Sequence, residues 1–337
     1  MTQYFRPLVQ IGPARPQAAK TLAGGWGWFT HAEVLARGRA PSVIPATDLP
    51  ENALSALTRP RAPRGGLGMD RPRVMGILNA TPDSFSDGGL HADPADAIAA
   101  GQRMIAAGVD LLDVGGESTR PGARTVDPTD ETLRVVPVIA GLRGAGALIS
   151  VDTRKADVAR AAVAAGAGLI NDVSGFTYDT ALAPYAAQTG LPVCVMHTLG
   201  DPATMQRDPQ YQDVLLDIYD FLRDRITALE AQGIARDAII ADPGIGFGKT
   251  LDHNLTVLAR LSLFHGLGVP ILLGASRKRF IGTLGNAPAA ESRAPGSIGV
   301  ALAGLAHGVQ MLRVHDVADT IQAIALWRAA LAGQADT

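Results

Sequence analysis

VMGILNATPDSFSDGG, residues 74–89, sets an apolar run directly against a polar, glycine-rich loop. The run 74–78 reads as a buried strand. The loop carries Asn79, Thr81, Asp83, Ser84, Ser86 and Asp87 around one aromatic, Phe85. Packing requires none of that polarity. A strand that delivers an Asn and a ring of polar groups at its C-terminal end reads as one wall of an active site.

The same grammar recurs downstream. Short apolar runs at 111–114, 148–151, 168–171, 192–196, 238–241, 270–273 and 309–314 each end in a polar turn. Helical patterns lie between them, among them 94–107, 154–165, 214–232 and 317–330. Gly108 and Gly166 follow two of these and suit the left-handed turn that closes a helix. Eight strand–helix units within residues 73–337 predict an α/β fold of the (β/α)8 TIM-barrel type. A doubly wound open sheet is the competitor, but near-equal units with no change of spacing favour closure. In a barrel the site lies at the C-terminal strand ends. The residues there are Asn79, Asp113, Asp152, Asn171, His197, Asp242, the run Ser276, Arg277 and Lys278, and Arg313 with His315. One or two polar strand ends are ordinary solvation. Nearly every strand ending in an amide, carboxylate or cation is not.

Residues 1–72 differ from the rest. They hold nine Arg and Lys against four acidic residues, with many Pro and Gly, and end in a linker-like stretch at 59–71. Trp26, Trp28 and Phe29 make a cluster too apolar for pure disorder. The segment reads as an ordered N-terminal extension of unknown role, too small for a large core of its own.

Composition narrows the function classes. The 337 residues are 47% hydrophobic and 18% charged, with 38 Gly and a net charge of −2. Nothing there calls for nucleic acid or a membrane surface, and no apolar stretch has the length of a membrane span. The single cysteine, Cys194, lies in an apolar run, reads as a small core residue, and suits a reducing, cytoplasmic setting. No His/Cys/Asp cluster suggests zinc, and no Ser-His-Asp pattern suggests hydrolysis. His197 has no partner at metal-ligand spacing and reads as structural or as a support behind the site residues, while His265 and His307 read as surface residues of helices.

Eight segments resemble the signatures of the dihydropteroate synthase family, in the family's order and at the predicted strand ends. They are LNATPDSFSDGG (78–89), DVGGESTRPG (113–122), SVDTR (150–154), INDV (170–173), MH (196–197), DPGIGFGK (242–249), SRKRFIG (276–282) and RVHDV (313–317). The resemblance implies a (β/α)8 barrel over 73–337. It also implies a transferase of folate biosynthesis that joins p-aminobenzoate to a 6-hydroxymethyl-dihydropterin diphosphate and releases diphosphate. It implies that Asp152, Asn171, Asp242 and Lys278 hold the pterin, with Lys278 and the two carboxylates as the catalytic set. Asn79, Thr119, Arg313 and His315 would take the diphosphate, and Asn79 would contact Mg²⁺. Phe85, Thr119, Arg120, Pro121, Phe247, Ser276 and Lys278 would line the p-aminobenzoate site, the target of sulfonamides. The family commonly forms homodimers, and helices near the C-terminus are the expected face.

The residues agree with that chemistry in their own terms. A pterin edge is rich in N–H donors, and a carboxylate accepts two at once. Taken alone, Asp152 and Asp242 read equally well as helix N-caps. Arg313 and His315 are two apart on a strand and share a face. Mg²⁺ takes oxygen ligands together with phosphate oxygens. The rival readings are a methyltetrahydrofolate-binding corrinoid methyltransferase, which has no use for a diphosphate site, and a non-catalytic paralogue, which would have lost site residues. Ala80, where the family often has Val, and the stretch 198–206 depart from the family pattern. The extension lies outside it.

Overall fold

Apolar strands alternating with helices bury both faces either in an open doubly wound sheet or in a closed barrel, and this chain closes. In the computed structural model, which describes residues 2–81, 93–118, 123, 125–200 and 205–334, the extension comes first. It contains β1 (Tyr4–Pro7), β2 (Lys20–Thr21), β3 (Trp28–Phe29), β4 (His31–Leu35), β5 (Ser42–Pro45) and α1 (Glu51–Thr58). The barrel follows as β6 (Arg73–Asn79), α2 (Pro94–Ala106), β7 (Leu111–Gly115), α3 (Pro128–Leu142), β8 (Leu148–Asp152), α4 (Ala156–Ala165), β9 (Leu169–Asp172) and α5 (Leu182–Thr189). It continues as β10 (Val193–Met196), α6 (Val214–Ala231), β11 (Ile239–Asp242), α7 (Leu251–Leu258), β12 (Leu272–Leu273), α8 (Arg279–Leu284), α9 (Ala294–Ala306), β13 (Met311–Val314) and α10 (Val317–Ala332).

The sheet order is β11-β10-β9-β8-β7-β6-β13-β12, with every pair parallel. An isolated parallel bridge, Ala241↔Ile271, joins the two ends of that row. The expected seventh strand is cut to Leu272–Leu273: Pro270 has no N–H to give, and the Ile271 N–H goes to the Gln310 side chain at 2.9 Å. The backbone around it still pairs, Ala241 N–H donating to Pro270 O and Met311 N–H to Ile271 O.

Strand alternation decides what lies inside. Met75, Leu111, Leu169, Cys194, Ile240, Leu272 and Met311 form one buried cluster, the barrel floor. Their neighbours Val74, Leu112, Ile170, Val193, Ile239 and Leu312 belong to the larger cluster shared with the surrounding helices. Two residues beyond the floor, the same inward face carries Asp113, Asn171, Asp242 and Arg313, because side chains on one face recur with period two.

The extension is not a tether. β1, β4 and β5 form a three-stranded antiparallel sheet. Leu22, Phe29, Ala32, Leu49 and Leu57 make a small core of their own. The unit packs on the outside of the barrel. The Tyr4 hydroxyl lies 2.8 Å from Asp220 Oδ2, Trp26 Nε1–H donates to Leu305 O at 3.0 Å, and Ser262 Oγ–H donates to Pro7 O at 2.9 Å.

The linker-like reading of 59–71 is corrected. Arg64 is 1% exposed and donates to Ile239 O at the base of β11. Met69 joins the barrel floor. A tight Arg64↔Leu67 bridge turns on Gly65, at φ +56. A Cβ there would lie 2.6 Å from Leu148 Cδ2. Pro and Gly here shape a plug, not a flexible spacer.

Candidate active site

Six polar side chains, Asp113, Ser150, Asp152, Asn171, Asp242 and Arg313, lie directly above the apolar floor. Asp113 on β7 is the hub. Its Oδ1 accepts from Ser150 Oγ at 2.6 Å, and its Oδ2 accepts from Asn171 Nδ2 at 2.9 Å and Arg313 Nε at 2.6 Å. Arg313 Nη2 donates to Asp152 Oδ2 at 2.7 Å. Asp152 is not a helix cap. α4 begins later, at Ala156, whose N–H goes to Asp179 Oδ2 at 2.7 Å. Asp152 and Asn171 are register partners on β8 and β9. Asp242 and Arg313 flank Gly274, whose missing side chain would stand 3.4 Å from one and 4.0 Å from the other.

One guanidinium serves two buried carboxylates. Burial pushes the Asp152 carboxyl up to about 7, with Arg313 opposing and the Asp113 charge adding to the rise. Arg313 itself is held firmly protonated, the two aspartates outweighing its burial. Burial also raises Asp242, against the N–H of Gly244, which donates to its Oδ1 at 2.7 Å. A wall of carboxylates that are costly to ionise is primed for a ligand that brings N–H donors.

The turn after β11 carries Phe247 to the site. Gly244 has φ +67, and a Cβ on it would fall 1.9 Å from His197 O, so the turn can seat on the end of β10 only as glycine. Lys278 Nζ stands 3.9 Å from the centroid of the buried Phe247 ring. Lys278 is fixed by the chain around it. Arg277 is left-handed, at φ +57. Its N–H donates to Ser297 Oγ at 2.8 Å and its Nε to Asp316 Oδ2 at 3.1 Å.

Ser276 and His315 meet side by side. Ser276 Oγ accepts the His315 N–H at 3.2 Å and lies 3.0 Å from Nδ1. Burial, then the Arg313 charge, lowers His315 to about 4. The imidazole is therefore neutral near pH 7. Ser276 Oγ already accepts the His315 backbone N–H; in the tautomer where its hydroxyl proton goes to Nδ1, Nε2 carries the ring proton and is a donor. Asn79 ends β6, half-buried, beside Gly115 of β7.

Phe85, Thr119, Arg120 and Pro121 lie outside the described residues. The described bases of the second loop are tied together. Val126 N–H donates to Glu117 Oε1 at 2.7 Å, and Arg154 and Lys155 reach the same carboxylate at 2.9 and 3.0 Å. Lys155 also pairs with buried Glu131. Arg154 lies 3.9 Å over the Tyr178 ring. Arg154, Tyr178, Ser174 and Phe247 border a cavity of about 210 Å³ on the C-terminal rim.

Asp113 was visible in the sequence as one polar strand end among many, without a role. Its inward position two residues past Leu111 was the signal. Ser150 gave none. In the sequence Lys249 is only the last residue of DPGIGFGK, yet it is 3% exposed. The surface reading of His265 is corrected. It is fully buried, with Nε2 3.0 Å from His307 O and its backbone carbonyl accepting from Arg61 of the plug at 2.9 Å.

Residues 75–315 match the model of the pterin binding enzyme family. The chain is 45% identical over 269 residues to the dihydropteroate synthase of Escherichia coli K12, covering 80% of this chain and 95% of that one. The dihydropteroate synthase of Xanthomonas albilineans solved with 4-aminobenzoic acid is 47% identical, with a TM-score of 0.74 over 78% of this chain and 94% of that one. The same organism's dihydropteroate synthase in complex with 7,8-dihydropteroate is 44% identical, with a TM-score of 0.71 over 78% and 95%.

Proposed function

The chain belongs to the pterin binding enzyme family, among its dihydropteroate synthases, and on that premise we propose how its residues divide the work. The reaction is the condensation of 6-hydroxymethyl-7,8-dihydropterin diphosphate with p-aminobenzoate, giving 7,8-dihydropteroate and diphosphate. The observation that carries the division of roles is the polar layer on the barrel floor, where Asp113, Asp152, Asn171 and Arg313 form one hydrogen-bonded set with Asp242 alongside.

Asp152, Asn171 and Asp242 take the donor-rich edge of the pterin, and Lys278 its carbonyl side. Arg313 and the Nε2–H of neutral His315 face the diphosphate, with Asn79 and Thr119. Phe247, Ser276 and Lys278, with Phe85, Arg120 and Pro121, line the p-aminobenzoate half, which sulfonamides would share. The C–O bond from the exocyclic methylene to diphosphate breaks, and the bond to the arylamine nitrogen forms. The ring stabilises positive charge on that carbon, so no strong protein base is needed. The protein supplies orientation and a field that favours the separating charges.

Among the described residues no group of three or more His, Cys, Asp or Glu is placed to hold a metal. The single side-chain oxygen of Asn79 at the end of β6 suits Mg²⁺ arriving with the diphosphate, for Mg²⁺ keeps waters and needs only one or two protein oxygens beside phosphate oxygens. Asn79 would hold it. When bound, it neutralises charge on the leaving group.

No described helix is long and apolar enough to cross a membrane, and a cytoplasmic enzyme fits that and the buried free thiol. A homodimer through the C-terminal helices is part of the same proposal, with Leu326 on α10 exposed. The test is direct. The protein is mixed with pterin diphosphate, p-aminobenzoate and Mg²⁺, and dihydropteroate and diphosphate are measured. Their absence from a folded enzyme overturns the reading.

A further inference from the structure

We infer that Lys249 and His197 are positioning residues that set the p-aminobenzoate half of the site by holding Phe247 against Lys278. The inference rests on the synthase reading above for its substrate and on geometry for everything else.

A buried lysine needs acceptors for three N–H bonds. Lys249 has exactly this number: Nζ lies 2.9 Å from His197 Nδ1, 2.8 Å from Gly244 O and 3.0 Å from Phe247 O. Burial lowers Lys249 to about 7, with the Asp242 charge opposing, and in its protonated form this one group ties the start of the turn, its apex and the end of the neighbouring strand. His197 is buried and kept neutral by its surroundings, and opposite a protonated lysine, which only donates, its Nδ1 is the acceptor. Its ring is held edge-on to Phe221, with centroids 4.9 Å apart.

The two halves of the site depend on this tie unequally. Asp242 lies on β11 itself, in register with Met196, and its carboxylate holds the Gly244 N–H. Phe247 lies at the turn's far side. Its own N–H reaches Gly244 O at 3.1 Å, and its carbonyl goes to Lys249. The ring must stay in place for Lys278 Nζ to rest 3.9 Å above it. Other bonds hold the flanks. Asn254 Oδ1 accepts from Gly246 N–H at 2.7 Å, Gln206 Nε2 donates to Gly246 O at 2.6 Å, and Tyr211 OH donates to Gly248 O at 2.7 Å. The turn thus has enough anchors to fold without Lys249, while the position of Phe247 loosens.

Lys249→Met keeps the stem and removes all three donors. Lys249→Gln restores two. The KM for p-aminobenzoate is expected to rise about tenfold or more in Lys249→Met, the KM for pterin diphosphate by less than threefold, and Lys249→Gln to recover part of the difference. Equal rises for both substrates, or no rise for either, overturn the inference. Should Lys249→Met fail to fold, His197 supplies the second arm. His197→Phe keeps the ring packing and deletes the acceptor, whereas His197→Asn places an oxygen where Nδ1 stood. The first is expected to raise the p-aminobenzoate KM selectively and the second to spare it. Identical behaviour of the two overturns the inference. A wild-type enzyme with no synthase turnover refutes the substrate reading instead. In that case calorimetry with p-aminobenzoate and with 6-hydroxymethylpterin decides the positioning role by the same selectivity.

Discussion

Arg313 Nη2 lies 2.7 Å from Asp152 Oδ2. The cation expected for diphosphate and a carboxylate expected for the ring are therefore one unit. The same guanidinium spends Nε on Asp113.

Removing Arg313 is expected to damage both halves of the pterin diphosphate site. Arg313→Met leaves two buried carboxylates without their cation, and breaking such a pair costs about 3–5 kcal/mol. Melting temperature and affinity for the bare pterin alcohol should both fall, with a larger fall for the diphosphate. Asp152→Asn with Arg313→Met should cost clearly less than the sum of the singles. Unchanged binding of the bare pterin to Arg313→Met, measured by calorimetry, would refute the coupling.

Pterin binding should release protons near neutral pH. Burial raises Asp152 to about 7 from 3.8, and ring N–H donors favour the carboxylate. Affinity should rise with pH through about 7 and level off above it. Stability takes the opposite sign. Between about 4 and 7 the folded state binds more protons than the unfolded one, so this group's contribution is full below 4 and is lost as pH rises through 7. Asp152→Asn should flatten both curves. Calorimetry in buffers of different ionisation enthalpy that finds no proton release would sink the assignment.

Gly244→Ala is expected to be among the worst single substitutions in the chain. The added carbon would meet His197 O at 1.9 Å, at a positive φ that disfavours any side chain. Strain and overpacking each cost about 1–3 kcal/mol. Thermal melts and soluble yield would show it. A variant that melts with wild type would mean the turn sits elsewhere.

Two truncations separate the parts of the extension. Deleting 2–58 removes the small sheet and α1 but keeps the plug. Deleting 2–72 also takes Met69 from the barrel floor. The second should lower the melting temperature well beyond the first, since emptying a buried Met site costs about 2–5 kcal/mol. Equal melting of the two would show that the plug contributes nothing.

Turnover should require Mg²⁺, and Asn79→Ala should raise the concentration that gives half-maximal rate. Full diphosphate release in excess chelator would end the proposal.

The sequence alone determined the barrel, because strand period, helix period and unit length are local properties that repeat. It also placed Asp152, Asn171, Asp242 and Arg313 at the strand ends, since each lies at the close of an apolar run or directly after it. Which of them touch was decided only by closure. Asp113 and Arg313 are 200 residues apart and meet because β7, β6 and β13 are neighbours in the sheet. The reading of 59–71 as a linker failed for the same kind of reason. Gly and Pro report a turn, whereas what the turn plugs depends on a floor assembled from all eight strands. Lys249 was illegible for a third reason. Whether a lysine is solvated or threefold hydrogen-bonded depends on how the chain folds over it, and no spacing in the sequence records that.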